Sequence, residues 1–247
     1  ATETSRRMEE LARMKSDFVS VVSHELRTPL TSIIGSLATI ARPELAPDEP
    51  AARELLDSAR KQANRLRRLI EDLLVVSRIE GRALPRHPED IDLARFLRDA
   101  VAEIPGGGGV EVAVEPDARI KSDPDHLGRI VINLVENAIK PAAAAPVEVS
   151  ARVDDDQVTI LIVDHGPGIA PEERAQVFER FTQLEPSATR SRGGTGLGLS
   201  IVRGLARAMD GEVSVEETPG GGATFRVELP RVLSPGGRRL ASASVSG

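Results

Sequence analysis

The stretch "FVSVVSHELRTPLTSIIG", residues 18–35, decides how the first part of the chain folds. Its apolar residues recur every three or four positions, which is the spacing of one face of an α-helix. At about 100° per residue, His24 points away from the mean direction of Val22 and Leu26. We therefore expect the His24 side chain to face solvent, with the carboxylate of Glu25 adjacent to it in sequence.

Pro29 interrupts this helical pattern five residues after His24. Proline has no N–H and its ring crowds the carbonyl of Glu25, so we expect the helix to bend just beyond the histidine. Thr28 lies one turn after His24 on the same face. An exposed imidazole beside a carboxylate can act as a nucleophile, because the carboxylate can take or orient its proton. An exposed histidine on a helix is, however, usually only part of the surface.

The apolar spacing predicts two long helices separated by "RPELAPDEP", residues 42–50, with Asp48 as the N-cap of the second helix. Their stripes are Leu11, Met14, Phe18, Val22, Leu26, Leu30, Ile33, Leu37 and Ile40, then Leu56, Ala59, Ala63, Leu66, Ile70 and Leu73. One hairpin covers two such stripes poorly, so we predict a homodimer in which two hairpins form a four-helix bundle. The stripes alone fit a passive coiled-coil dimerisation module about as well.

The composition excludes several classes of protein. The 247 residues contain no cysteine, so a disulfide framework, a thiol nucleophile and Cys-ligated zinc are excluded. A net charge of −6 argues against broad nucleic-acid binding. No apolar run approaches the roughly 18 residues that span a bilayer, and no signal peptide is visible. We expect a cytoplasmic fragment whose N-terminal partner domain, membrane-bound or not, is missing. We also expect a disordered tail at 231–247.

After a linker at 81–91, the sequence changes to a mixture of strands and helices. Alternation predicts half-buried strands, and "QVTILIVD" reads as a strand covered on both faces. Strands are predicted at 110–115, 147–153, 157–164, 212–217 and 223–229, and helices at 125–140, 171–181 and 197–209. This arrangement predicts an α/β sandwich, with one layer of helices on one sheet.

Polar residues on one predicted helix are candidates for a nucleotide site. In "DHLGRIVINLVENAIK", residues 125–140, the side chains of Asn133, Asn137 and Lys140 share a flank beside the buried face. A carboxamide oxygen suits Mg²⁺, and the lysine adds positive charge for phosphates. By themselves, these three side chains are more often part of a solvated surface.

Two glycine-rich segments follow this helix. Asp164 in "DHGPGI" ends a buried strand, where its carboxylate can accept a hydrogen bond from an amino group such as that of adenine. "GGTGLGLS" leads into a helix, so backbone amides and a helix N-terminus can face phosphates. The chain has no "GK" dipeptide for a Walker A loop, and Leu199 replaces the third glycine of a dinucleotide fingerprint. An ordinary turn before a helix is the alternative.

These motifs together resemble a known family. "SHELRTPL" resembles the phosphoacceptor box of bacterial sensor histidine kinases. "NLVENAIK", "DHGPGI", "FERF" and "GGTGLGL" resemble, in the same order, the N, G1, F and G2 boxes of that family's ATP-binding domain. The resemblance extends from about residue 18 to 230. It implies a Bergerat-type α/β sandwich, ATP and Mg²⁺ as cofactors, and a response regulator as partner.

The resemblance also implies roles for individual residues. His24 accepts the γ-phosphoryl group of ATP, Glu25 assists proton removal, and Thr28 positions water when the phosphorylated partner is dephosphorylated. In the second domain, Asn137 ligates Mg²⁺. The remaining cofactor-binding candidates are Asn133 and Lys140 at the phosphates, Asp164 and Gly168 at adenine, and Gly166, Arg180, Gly194, Gly196 and Gly198, with a mobile lid at about 181–195.

The chain departs from the family pattern at three places. Pro141 follows the N-box lysine where an aromatic residue is common, Thr182 and Gln183 follow the F box, and His165 replaces a frequent asparagine. Phosphate stabilisation then falls to one of three arginines, namely Arg180, Arg190 and Arg192. The three histidines other than His24 are predicted to lie on the surface: His87, His126 and His165.

The sequence thus predicts a sensor histidine kinase that phosphorylates His24 with ATP, transfers the phosphoryl group to an aspartate of a response regulator, and also acts as a phosphatase. Its expected segments are a signal-transmitting helix at 1–17, a phosphoacceptor hairpin at 18–80, the linker at 81–91, an ATP-binding domain at 92–230 and the tail at 231–247. Two alternatives are a related GHKL ATPase or serine protein kinase that does not need His24, and a catalytically weak dimerisation scaffold.

Overall fold

The computed structural model describes residues 2–41, 50–81, 83–139, 146–182 and 196–233, with side chains from Val19 onward. The chain divides into two compact units, Ala1–Leu74 and Val75–Gly247. Each unit has buried apolar residues of its own. The predicted combination of a helical hairpin and an α/β sandwich is confirmed.

The first unit is the predicted hairpin. Helix α1 spans Thr2–Ile40 with Pro29 inside it, and α2 spans Pro50–Glu80, its last residues belonging to the second unit. Pro29 is buried, as are Ser36 of α1 and Leu69 of α2. The predicted N-cap Asp48 lies outside the described residues. Among the described helices, none is both long enough and apolar enough to cross a membrane.

The hairpin leaves large apolar side chains uncovered on both helices. We call five of them the outer apolar residues: Leu30, Ile34 and Leu37 of α1 with Leu56 and Ile70 of α2. Transfer of such side chains out of water stabilises by about 1.5–3 kcal/mol each. The hairpin alone therefore leaves a substantial part of its predicted stripes without a packing partner.

The second unit is built on a five-stranded sheet in the order β2-β4-β5-β7-β6. Its strands, in chain order, are β2 Val110–Val114, β4 Val147–Val153, β5 Gln157–Val163, β6 Glu212–Glu217 and β7 Ala223–Pro230. Strands β2 and β4 are parallel, and the other neighbouring pairs are antiparallel. Two short strands, β1 Glu89–Asp92 and β3 Arg119–Ser122, form a separate antiparallel pair.

Three helices supply the other half of the core. They are α3 Leu93–Ala102, α4 Pro124–Ile139 and α5 Gly198–Ala208. Their buried faces consist almost entirely of leucine, isoleucine, valine and alanine, as the scarcity of aromatic residues requires. Asp92 caps α3 by accepting a hydrogen bond from the Arg95 amide at 3.0 Å. The second layer of the predicted sandwich is therefore present.

Two contacts attach the segment before β1 to the second unit. Arg86 Nη1 lies 2.9 Å from Asp210 Oδ2, and the His87 amide donates to Asp123 Oδ2 at 2.7 Å. Asp123 is buried and also accepts from the His126 amide at 3.0 Å, which makes it the N-cap of α4. Asp123 thus fixes both the start of α4 and the segment that leads into β1.

The helix predicted at 171–181 is wrong. Within this segment the structure has turns and a short 3₁₀-helix, Gln176–Phe178, with several hydrogen bonds joining residues three apart. Only Val177 and Phe178 are buried there, so the segment has little apolar burial to stabilise a longer helix.

Strand β5 is covered less completely than predicted. Its residues alternate between buried and half-exposed, so the face away from the helices is not fully covered. The sequence also gave no prediction of α3, β1 or β3. Strands β1 and β3 have four residues each, too short for a pattern to distinguish them from loops.

Candidate functional site

His24 is exposed on α1, as predicted. Its side chain is 69% exposed, and Nδ1 lies 3.5 Å from Glu25 Oε1. This distance allows an electrostatic contact but is long for a hydrogen bond. Glu25 is only 21% exposed, and its other oxygen, Oε2, lies 3.2 Å from Nη2 of Arg65 on α2. The carboxylate therefore lies between the imidazole and a cation of the second helix.

Thr28 follows His24 by one turn, and its hydroxyl donates to the His24 carbonyl at 3.2 Å. Pro29 has no N–H to donate to the Glu25 carbonyl. The turn after the histidine thus combines a side-chain hydrogen bond to the backbone with a missing backbone donor. Both features weaken the regular hydrogen bonding of a helix at this point.

Asn133 of α4 faces the start of α5. Its Nδ2 donates to the Arg129 carbonyl at 2.8 Å, which leaves Oδ1 on the other side of the carboxamide. A Cβ added to Gly198 would lie 2.7 Å from this Oδ1, so any larger residue there would displace the Asn133 carboxamide. Asn137 is half-buried one turn further along α4. The structure thus brings residues of the N and G2 boxes together.

Asp164 is buried at the end of β5, and backbone amides hold its carboxylate. Oδ1 accepts from the Gly166 amide at 2.9 Å and from the Ala223 amide at 3.1 Å. Within the described part of the chain, Oδ2 accepts no further hydrogen bond. One oxygen is thus fixed, while the other can accept from a ligand.

The turn between β6 and β7 also contacts Asp164, a contact that no sequence motif predicted. The Gly222 carbonyl oxygen would lie 3.0 Å from a Cβ added to Gly168. A Cβ on Gly222 itself would lie 1.9 Å from the Asp164 carbonyl oxygen. The run of three glycines at 220–222 was the available signal, but the sequence alone did not connect it with Asp164.

The F-box region also contacts the G2 box. The Phe181 amide donates to the Gly196 carbonyl at 2.8 Å, and Phe181 has a positive φ of 61°. Arg180 forms an ion pair with Glu80, which belongs to the same compact unit. Several predicted residues lie outside the described residues, namely Lys140, Pro141, Gln183, Arg190, Arg192 and Gly194.

The three further histidines differ in exposure. His87 is exposed, as predicted. The surface prediction is wrong for His126, whose side chain is 13% exposed and packs beside Asp123. Burial lowers the pKa of His126, and the nearby carboxylates of Asp123 and Asp125 oppose this only in part. His165 is exposed, as predicted, with Nε2 3.2 Å from Glu148 Oε1.

A cavity of about 680 Å³ lies on the outer face of the sheet, away from the helices. Its lining comes mainly from β2, β4 and β5, with Arg226 of β7. None of the predicted ATP-site residues that the structure describes lines this cavity. It is therefore distinct from the described residues that the sequence predicts for nucleotide binding.

Two family models match the chain in order. Residues 14–82 match the His Kinase A (phospho-acceptor) domain, and residues 122–233 match the histidine kinase-, DNA gyrase B- and HSP90-like ATPase. The first match contains His24, and the second contains Asn133, Asp164 and Gly198. Fold and sites thus define a class of protein in which a phosphoacceptor hairpin precedes a gyrase-like ATPase domain. This chain belongs to the bacterial sensor histidine kinases.

Individual relatives agree with this assignment. The sensor histidine kinase MtrB of Mycobacterium tuberculosis is 35% identical over 231 residues, which cover 91% of this chain and 41% of MtrB. The histidine kinase AdeS of Acinetobacter baumannii has a TM-score of 0.66 at 26% identity, over 84% of this chain and 98% of that structure. Full-length ShkA, solved in complex with AMPPNP, has a TM-score of 0.64 at 28% identity, over 89% of this chain and 47% of ShkA. This chain spans less than half the length of MtrB.

Proposed function

We propose that this chain uses ATP to phosphorylate His24 and passes the phosphoryl group to an aspartate of a response regulator. The observation that carries the proposal is the exposed imidazole of His24, whose Nδ1 lies 3.5 Å from the Glu25 carboxylate. ATP use is supported by the match to the ATPase family model and by the complex of the related ShkA with an ATP analogue.

The geometry around His24 supports a specific course of reaction. With Glu25 Oε1 beside Nδ1, the favoured neutral tautomer carries its proton on Nδ1 and a lone pair on Nε2. Nε2 attacks the γ-phosphorus, the new P–N bond forms, and the bond to the β,γ-bridging oxygen breaks as ADP leaves with its electron pair. The Nδ1 proton of the resulting imidazolium then passes to the Glu25 carboxylate.

The nucleotide would be held by groups of the second unit that follow β5 and that lie at the start of α5. Asp164 Oδ2 accepts a hydrogen bond from the adenine amino group, while Gly166 and Gly168 let the backbone approach the base. Gly196 and Gly198 would present backbone at the phosphates, and we propose the same role for Gly194, which lies outside the described residues. Arg180 can contribute there only after it leaves its ion pair with Glu80.

The residues present fit a Mg²⁺ ion. Asn137, one turn after Asn133 on α4, carries a carboxamide oxygen, and Mg²⁺ prefers such oxygen ligands. We propose Asn137 as the ligand of the ion, with Asn133 and Lys140 close to the phosphates. Bound Mg²⁺ would offset negative charge on the triphosphate.

The outer apolar residues support a homodimer through the hairpin. Within that framework we propose a signal-transmitting segment at 1–17, the phosphoacceptor hairpin at 18–80, a linker at 81–91, the ATP-binding domain at 92–230 and a tail at 231–247. Thr28 would serve a phosphatase reaction on the response regulator. Since ATP and response regulators are cytoplasmic, we expect this part of the protein to act in the cytoplasm.

The proposal is tested by incubating the protein with γ-labelled ATP and Mg²⁺. We expect label that is labile in acid, as phosphohistidine is, and its loss in a His24→Gln variant that still binds nucleotide. A His87→Gln variant is the matched control, because His87 is exposed and far along the chain from the phosphoacceptor. Label or ATP turnover that survives His24→Gln would favour a related ATPase or serine kinase. Failure to bind nucleotide would favour a dimerisation scaffold.

A further inference from the structure

We infer that Arg65 is a positioning residue for Glu25, and this inference rests on the proposed phosphorylation of His24. Arg65 lies on α2, 40 positions from Glu25 in sequence. Its Nη2 is 3.2 Å from Glu25 Oε2, while Glu25 Oε1 is 3.5 Å from His24 Nδ1. The two oxygens of one carboxylate are thus divided between the guanidinium and the imidazole.

Glu25 needs such a restraint because of its place on the helix. Neighbouring residues of an α-helix point about 100° apart, so their side chains do not face each other. A glutamate has three rotatable side-chain bonds, and only some of its rotamers bring Oε1 to the preceding imidazole. An ion pair to a second helix selects among those rotamers. Arg65 can therefore hold the carboxylate in the orientation that fixes the His24 tautomer.

Another arginine of the same helix provides a comparison. Arg67 Nη1 lies 3.2 Å from Glu71 Oε1, the same distance as in the Arg65 pair, but both partners lie on α2. Arg67 is 67% exposed, whereas Arg65 is 36% exposed and reaches across to α1. Exposed pairs within one helix contribute little and are screened by salt. Arg67→Gln is therefore a matched control that removes an arginine and an ion pair without touching Glu25.

The first test measures autophosphorylation kinetics with Mg-ATP. We expect Arg65→Gln to lower kcat by roughly 10-fold or more with the KM for ATP unchanged, because a loosened carboxylate is misplaced for the chemical step. Arg65→Lys should recover part of the rate, since it restores the charge without the guanidinium fork. Arg67→Gln should match the wild type. Equal kcat values for the Arg65→Gln and Arg67→Gln proteins would overturn the inference.

A double-mutant cycle separates positioning from a general structural effect. If Arg65 acts only through Glu25, adding Arg65→Gln to Glu25→Gln should lower kcat no further. If Arg65 supports the hairpin in some other way, the two losses should multiply, and the inference fails. Circular dichroism of each variant checks that the helices are retained.

A third measurement is independent of activity. The ¹⁵N chemical shifts of the His24 ring, recorded without nucleotide, report which nitrogen carries the proton. We expect mainly the Nδ1-protonated tautomer in the wild type and in Arg67→Gln, and a mixture of tautomers in Arg65→Gln. If Arg65→Gln leaves the His24 tautomers unchanged, the inference is rejected even if His24 is phosphorylated. If Arg65→Gln changes the tautomers but ATP never phosphorylates His24, the Arg65 contact is upheld and the kinase proposal is rejected.

Discussion

At the scale of single residues, the proposed adenine end of the nucleotide site depends on backbone as much as on side chains. Asp164 Oδ1 is held by the Gly166 and Ala223 amides, and the Asp164 amide donates in return to the Ala223 carbonyl at 2.9 Å. This exchange requires the turn before β7 to lie directly against Asp164. Gly222 is the residue that permits the approach, with φ at 111°.

We predict that Gly222→Ala lowers the free energy of unfolding much more than Gly220→Ala does. Both glycines have positive φ, and an alanine there costs about 1–2 kcal/mol in backbone strain. At Gly220 a Cβ would meet nothing within 4 Å, whereas at Gly222 it would lie 1.9 Å from the Asp164 carbonyl oxygen. The difference between the two variants in urea unfolding measures the destabilisation caused by steric overlap with the Asp164 carbonyl. Equal losses would show that the turn yields without disturbing Asp164.

His126 makes stability depend on pH through its buried ring. Among the described residues, its Nδ1 is a buried nitrogen without a hydrogen-bond partner. Burial lowers the pKa of the folded-state imidazole, whereas in the unfolded chain the pKa returns to about 6.5. Below that pH the unfolded state binds more protons, so the stabilising contribution of neutral His126 is full above about 6.5 and is lost as the pH falls.

We therefore predict that wild-type protein loses unfolding free energy faster than a His126→Gln variant as the pH is lowered from 7.5 to 5.5. The difference is bounded by one proton, or about 1.4 kcal/mol per pH unit. His87→Gln is the control, because His87 is exposed and its backbone amide, not its ring, binds Asp123. Chemical denaturation at several pH values measures the slopes. A steeper slope for His126→Gln would mean that Asp123 outweighs burial.

At the scale of elements, the hairpin is incomplete as a packing unit. Ala52, Ala59 and Leu69 of α2 are buried, but the outer apolar residues are not. Few residues of the hairpin are buried, and large side chains on its other faces stay exposed. A second hairpin placed over those faces would bury them, which is why we favour a dimer.

We predict that Leu37→Asp weakens this dimer by about 100-fold or more, because a symmetric interface loses the leucine twice and each burial contributes about 1.5–3 kcal/mol. Thr31→Asp is the matched control: Thr31 is also exposed on α1 but lies about 120° around the helix from Leu37. Sedimentation equilibrium measures the dissociation constants. Equal effects of the two aspartates would place the interface elsewhere.

At the scale of the whole molecule, two units with separate cores should respond separately to ligand. A nucleotide at 100 times its dissociation constant stabilises the unit that binds it by about 2.7 kcal/mol. In calorimetry we expect Mg-ADP to raise the midpoint of one transition by roughly 5–10 °C and to leave the hairpin's transition unchanged. Repeating the scan with Leu37→Asp should move only the hairpin's transition. One cooperative transition that shifts as a whole would contradict this prediction.

The sequence was sufficient for those features that depend on near neighbours along the chain. The apolar spacing around His24 predicted its exposure, and the alternation in 147–153 and 157–164 predicted strands close to their observed bounds. The helix prediction failed at 171–181 because only Val177 and Phe178 are buried there, too little to stabilise a longer helix. The surface prediction failed at His126 because the burial of its ring depends on tertiary packing, which no local pattern reveals.

By itself, the sequence identified the residues that we propose for the chemistry: an outward histidine with an adjacent carboxylate, and four boxes in the order of a kinase ATP-binding domain. Only the tertiary structure decided how these groups are held. It brought Arg65 of α2 to Glu25 of α1, the Ala223 amide to Asp164, and Gly198 to Asn133. The physical reason is that periodicity fixes the direction of a side chain on its own element, whereas the group it meets depends on how distant elements pack.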